Sequence, residues 1–148
     1  MNEQPSEAGN GRPERRKNDV ESLRLRSLTP SYTVDDLERS LRFYVEGLGF
    51  TLEERWEEEG ELRGVMLVAG TCHLGLSQDD GAKGRDRQKG AGFRIWAETT
   101  HDLDALAARA REHGIECDGP KTEPWGSRTL TVTDPDGFKM TFSPPQEG

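Results

Sequence analysis

The sequence predicts an α+β fold in which two βαβββ modules form curved mixed sheets around a shared cleft. Three observations carry that prediction. A strand, helix, strands pattern is read twice along the chain. The two copies align as text, Asp36-Leu37-Glu38 through Gly49-Phe50 against Asp102-Leu103-Asp104 through Gly114-Ile115, with an offset of 66 that becomes 65 by the glycine. A chain of 148 residues also has room for one core but not for two independent ones. A period this long exceeds those of solenoid repeats, so a duplicated module closing on its twin is the natural result.

The elements follow in order. Residues 1–22 are rich in Pro, Gly, Glu, Asn and Arg and too poor in apolar side chains to offset ordering entropy, which predicts a disordered tail. The first module, about 23–78, opens with a strand over LRLRSLTPSYTV. Asp35-Asp36 then cap a helix of about three turns, whose stripe is Leu37, Leu41, Val45 and Leu48 and whose stop is Gly49. Strands are expected around Thr51–Trp56, over Leu62–Ala69 after an acidic turn, and over Thr71–Ser77 after Gly70. Polar, glycine-rich residues about 79–90 read as a linker.

The second module, about 91–144, repeats the pattern. GFRIWAE is its first strand, and Thr99 or Thr100 can cap a helix with the stripe Leu103, Leu106 and Ala110 and a stop at Gly114. His113 sits in the last turn, where the helix dipole favours a cation. After Ile115–Cys117 and a Pro/Gly/Trp loop come RTLTVT, the turn DPDG and FKMTFS, in which Phe138, Met140 and Phe142 alternate. Asp134 and Asp136 are read as turn caps rather than as a catalytic carboxylate pair.

Composition narrows the function classes. The net charge is -8, of which the tail carries -1, so the body is acidic. That argues against nucleic acid and favours neutral or cationic partners. No stretch approaches the run of about 18 apolar residues that spans a bilayer, and the N-terminus has no apolar segment of the signal-peptide kind, which predicts a cytosolic protein with no membrane partner. Cys72 and Cys117 are isolated and read as reduced, structural thiols.

Three pieces, TVDDLERSLRFYVEGLGF, DLDALAARAREHGIE and PWG...LTVTDPDGFKMTF, together resemble the vicinal-oxygen-chelate superfamily of glyoxalases, extradiol dioxygenases, fosfomycin-resistance enzymes and bleomycin-resistance proteins. The resemblance spans residues 23–144, is greatest to the non-metal bleomycin-resistance-like members, and implies a homodimer. In the metal-dependent members it implies one ligand from each of four strands. Carried over, these positions fall on Thr29, Gly75, Gly92 and Thr141, none of which is an imidazole or carboxylate donor. A catalytic divalent ion needs about three such donors. No metal and no cofactor is therefore expected.

Strand alternation assigns the side chains that share a face with those positions. Ser27, Thr29, Ser31, Thr33, His73, Ser77, Arg94, Trp96, Glu98, Thr129, Thr131, Thr133, Lys139, Thr141 and Ser143 should line the cleft, while Leu28, Val34, Leu74, Leu76, Leu130, Val132, Phe138, Met140 and Phe142 pack under the helices. The ligand-binding candidates are Thr29, Ser31, His73, Arg94, Trp96, Glu98, Trp125 and Thr141. Trp125 could equally pack on a sheet edge, and Arg94 could pair with Glu98. Hydroxyls, indoles and few charges suit a binding pocket more than a reaction centre. The leading expectation is a protein that sequesters a cationic or aromatic small molecule such as an antibiotic. The alternative is a metal-dependent or cofactor-free lyase, dioxygenase or epimerase on the same scaffold, with His73, Arg94 and Glu98 as its titratable groups.

Overall fold

The computed structural model describes residues 23–84 and 87–145; the tail expected over 1–22 lies outside them. In the first module β1 (Ser31–Val34) leads into α1 (Leu37–Leu41), which continues directly as a π-helical segment over Arg42–Leu48 and is followed by β2 (Thr51–Glu58), β3 (Glu61–Ala69) and β4 (Cys72–Gln78). The second comprises β5 (Arg94–Glu98), α2 (Leu103–Glu112), β6 (Cys117–Thr122), β7 (Arg128–Thr133) and β8 (Lys139–Ser143). Their sheets have the same order, β1-β4-β3-β2 and β5-β8-β7-β6. In each, the module's first and last strands pair in parallel and the remaining neighbours antiparallel. The parallel pair needs a long crossover, which the helix and the two intervening strands supply.

The modules meet through their apolar faces. Val34, Leu67, Leu74 and Leu76 join Leu130, Val132, Met140 and Phe142 in one core with residues of both helices. Tyr32 stacks on Phe138 with ring centroids 3.9 Å apart. The Tyr44 hydroxyl donates to Asp134 Oδ2 at 2.7 Å, and the Asp35 N–H donates to Asp136 Oδ1 at 2.9 Å. The DPDG turn is thus a clamp as well as a turn. Asp134 Oδ1 holds the turn itself, accepting from the N–H groups of Asp136 and Phe138 at 2.8 and 2.9 Å.

Several local expectations are corrected. The first strand is far shorter than residues 23–34, because Pro30 has no N–H for the ladder and pairing begins beyond it. Leu28 consequently lies before the strand and is 79% exposed instead of packing under a helix. The first helix buries Leu37 and Leu48 as expected, together with Phe43, Tyr44 and Gly47, while Leu41 and Val45 are only partly covered. Ser40, Phe43, Tyr44, Gly47 and Leu48 keep the i, i+3, i+4, i+7, i+8 spacing of an amphipathic helix, so the buried stripe is displaced around the helix from the expected one without a change of period. Asp36 caps it as expected, and Gly49 closes it with φ at 99°. The second helix is capped by Asp102, whose side chain accepts from the Asp104 N–H; Thr99 instead accepts from the His101 N–H at 3.0 Å.

The segment between the modules is held at both ends. Lys89 Nζ lies 3.2 Å from Asp79 Oδ2, with 3% and 2% of the two side chains exposed. Gly90 is buried so closely that a Cβ there would stand 2.2 Å from Phe138 N. Only glycine fits that approach.

Candidate functional site

Each sheet turns one face to the shared core and leaves the other polar. On the first sheet the strand register puts Ser31 level with Gly75 and Met66. A Cβ at Gly75 would meet Ser31 Oγ at 3.3 Å, so the serine covers the glycine. His73 Nε2 lies 3.3 Å from Glu53 Oε1. Glu53 was not among the predicted residues, because the pairing of β2 shifts between Leu52 and Glu54 and strict alternation fails there. Trp56 is level with Gly64 and lies over it, its Cε3 3.2 Å from where a Cβ would be. Glycine makes room for the indole.

On the second sheet Trp96 is level with Thr141, and Arg94 with Lys139. Arg94 Nη1 donates to Thr141 Oγ1 at 2.9 Å, and Thr131 Oγ1 and Thr141 Oγ1 share a hydrogen bond of 2.8 Å. The guanidinium carbon lies 5.6 Å from the Trp96 ring centroid. Thr141, 1% exposed, is therefore the buried anchor of an exposed arginine that lies over an exposed indole. Glu123 was missed by the sequence; it accepts from Thr129 Oγ1 at 2.6 Å across the β6–β7 connection. Trp125 stands in that connection, 64% exposed.

The predicted residues therefore fall into groups. Arg94, Trp96 and Thr141 come together, Ser31 and His73 lie on the first sheet, and Thr29 precedes β1 and is exposed. Glu98 ends β5, level with Ser143. Ser31 and His73 make no hydrogen bond or ion pair with Arg94, Trp96 or Thr141 among the described residues. None of the eight lines the open depression of about 510 Å³ at the other end of the first module, whose walls are Asp35, Asp36, Glu61, Leu62, Arg63, Gln78, Asp79 and Asp80.

The family model for the glyoxalase/bleomycin resistance protein/dioxygenase superfamily matches residues 26–142. The chain belongs to that superfamily. A curated relative, the uncharacterized protein YwkD of Bacillus subtilis (strain 168), is 34% identical over 109 residues, covering 71% of this chain and 85% of its own. The crystal structure of TnmS3, an antibiotic binding protein from Streptomyces sp. CB03234, is similar with a TM-score of 0.65 and 27% identity, covering 84% of this chain and 100% of its own. A glyoxalase/bleomycin resistance protein from the same Streptomyces strain has a TM-score of 0.60 and 29% identity, over 78% of this chain and 96% of its own.

The four positions that the family resemblance marks for metal ligands hold no imidazole or carboxylate, and among the described residues no three His, Cys, Asp or Glu side chains gather where they could hold a metal ion. Gly75 and Gly92 offer no side-chain donor, and Thr29 lies outside the strands. Thr141 Oγ1 is already engaged by Thr131 and by the Arg94 guanidinium 2.9 Å away. A fixed cation at that distance repels a divalent ion, and a neutral threonine hydroxyl is a poor ligand. His73 with Glu53 supplies two donors where about three are needed. No helix among the described residues is long and apolar enough to cross a membrane.

Proposed function

We propose that this protein binds a small molecule without transforming it, holding an aromatic or cationic compound such as an antibiotic against the polar faces of its sheets. The observation that carries the reading is Trp96, 59% exposed on β5 beside an arginine anchored on the buried Thr141. Trp56 and Trp125 add exposed indoles at 47% and 64%. Ring stacking or a cation over an indole contributes about 0.5 to 2 kcal/mol per contact, so two or three such contacts suffice for a measurable complex. The likeness to TnmS3 at 27% identity supports this reading. The proposed working form is a cytosolic homodimer.

Titration with planar aromatic and cationic antibiotics, followed by tryptophan fluorescence, tests the proposal. Saturable quenching with the compound recovered unchanged is the expected result, and Trp96→Ala should weaken it about tenfold, the equivalent of 1.4 kcal/mol. Conversion of the compound, or no saturable binding across the set, would overturn it. The His73 and Glu53 pair, 3.3 Å apart, favours a second reading, acid-base catalysis without a cofactor. In that case His73→Gln would abolish product formation.

A further inference from the structure

On the polar face of the second sheet two cations stand side by side, and among the described residues no carboxylate lies within ion-pair distance of either. Arg94 on β5 and Lys139 on β8 are paired in register in a parallel ladder, and both are exposed. Alternation puts both on one face: Met140 and Phe142 of β8 are in the core, and Thr141, two residues from Lys139, bonds to Arg94. Like charges directly opposite each other on one sheet face are unfavourable. A chain with a net charge of -8 has carboxylates in excess, yet among the described residues neither cation lies within ion-pair distance of one. Two carboxylates near this face are engaged elsewhere. Asp118, level with Thr131, pairs with Lys121 at 3.1 Å, and Glu123 holds Thr129.

We infer that Arg94 and Lys139 form a receptor for the oxyanion of the aromatic ligand, whose ring lies on Trp96. The inference rests on the small-molecule-binding reading above and narrows its ligand class to planar aromatics bearing a carboxylate or a comparable acidic oxygen. Geometry supports each part. The Arg94 bond to Thr141 uses one N–H of Nη1, and the Thr131 to Thr141 hydrogen bond fixes the threonine. The remaining guanidinium N–H groups form a rigid fork suited to two oxygens, and the lysine adds a point charge. Trp96 follows Arg94 by two residues on the same face, so an anion held by the fork places an attached ring over the indole. Long-range repulsion by the acidic body disfavours such a ligand, while local charge favours it. The local term wins at short range, since salt screens the distant charges over about 8 to 10 Å.

Anthracene-9-carboxylate, anthracene-9-carboxamide and 9-(aminomethyl)anthracene share a ring and differ in charge, so they are the probes, titrated against the full chain by calorimetry at 50 mM and 300 mM salt. The carboxylate should bind about tenfold tighter than the amide at low salt, with a smaller ratio at high salt. In Lys139→Gln the ratio should fall, and in Arg94→Gln/Lys139→Gln it should approach one. Unchanged circular dichroism and a cooperative melt identify variants that still fold. Lys139 is exposed, so that single variant tests the inference even if the double variant unfolds. Equal affinity for carboxylate and amide, tighter binding of the amine, or a ratio that survives Lys139→Gln would overturn the oxyanion receptor alone. If none of the three rings binds, the receptor fails together with the aromatic-binding reading.

Discussion

Replacing Tyr44 by Phe isolates one hydrogen bond between the two modules. The Tyr44 hydroxyl donates 2.7 Å to Asp134 Oδ2, while Oδ1 is engaged by two backbone N–H groups. The variant keeps the ring and its edge contacts with Phe43 and Phe50, at 4.8 and 5.6 Å, so no cavity opens. What is lost is one charge-assisted bond, leaving Oδ2 of a carboxylate that is only 4% exposed without its donor. The cost should be about 2 kcal/mol, or about 4 to 8 °C in melting temperature for a domain of this size. Acidity gives a second measure. Burial holds the Asp134 carboxyl above its ordinary value, against the hydrogen bonds from Tyr44, Phe138 and Asp136 that lower it. A carboxyl with a raised folded pKa favours the fold below its unfolded value of about 4, and that contribution is lost as pH rises through the folded value. Removing the hydroxyl raises the folded value further. The gap between wild type and Tyr44→Phe should therefore be widest at neutral pH and narrow toward about pH 4. Urea denaturation across this range is the assay. A difference under about 0.5 kcal/mol at pH 7, or one that widens on acidification, refutes the reasoning.

Other positions test the packing. Leu130, with 0% exposure, should lose about 2 to 5 kcal/mol on Leu130→Ala, read as a lower urea midpoint with unchanged slope. Gly90→Ala and Gly47→Ala should differ sharply in melting temperature. The added Cβ at 90 meets backbone atoms of Phe138 and Gly137 at 2.2 and 2.4 Å, whereas at 47 it meets the Ile115 Cδ1 end of a flexible side chain at 2.3 Å. Helix propensity also favours alanine at 47, by up to about 1 kcal/mol. Lys89→Met should lower the melting temperature at neutral pH and matter less in acid. The Gly81 N–H and then Lys89 hold the Asp79 carboxyl below its ordinary value, so this stability is present above the unfolded pKa and lost as pH falls through the folded one. A loss from Lys89→Met that persists in acid would show that the ion pair is not its source.

The duplicated modules, the helix caps at Asp36 and the buried alternation from Val34 through Phe142 were legible because they are local. Period two and the helical stripe report which face of an element is apolar, whatever it packs against. The same alternation put Arg94, Trp96 and Thr141 on one face. Glu53 and Glu123 were not legible, since one sits at an irregular strand pairing and the other reaches Thr129 from a connection. The extent of β1 was also misread, because apolar leucines before Pro30 look like strand although the proline has no N–H to extend the ladder.

By itself, then, the sequence determined the module, its repetition and the chemical character of each strand face, all of which depend on neighbours a few residues apart. Tertiary structure decided the rest. Only packing brought Tyr44 to Asp134 and Asp35 to Asp136, more than 85 residues away in each case. Only strand register set Arg94 beside Lys139 and anchored it on Thr141, turning an expected arginine of the cleft into one of two adjacent cations. Register arises from pairing between distant segments, and a one-residue slip would send every side chain to the other face.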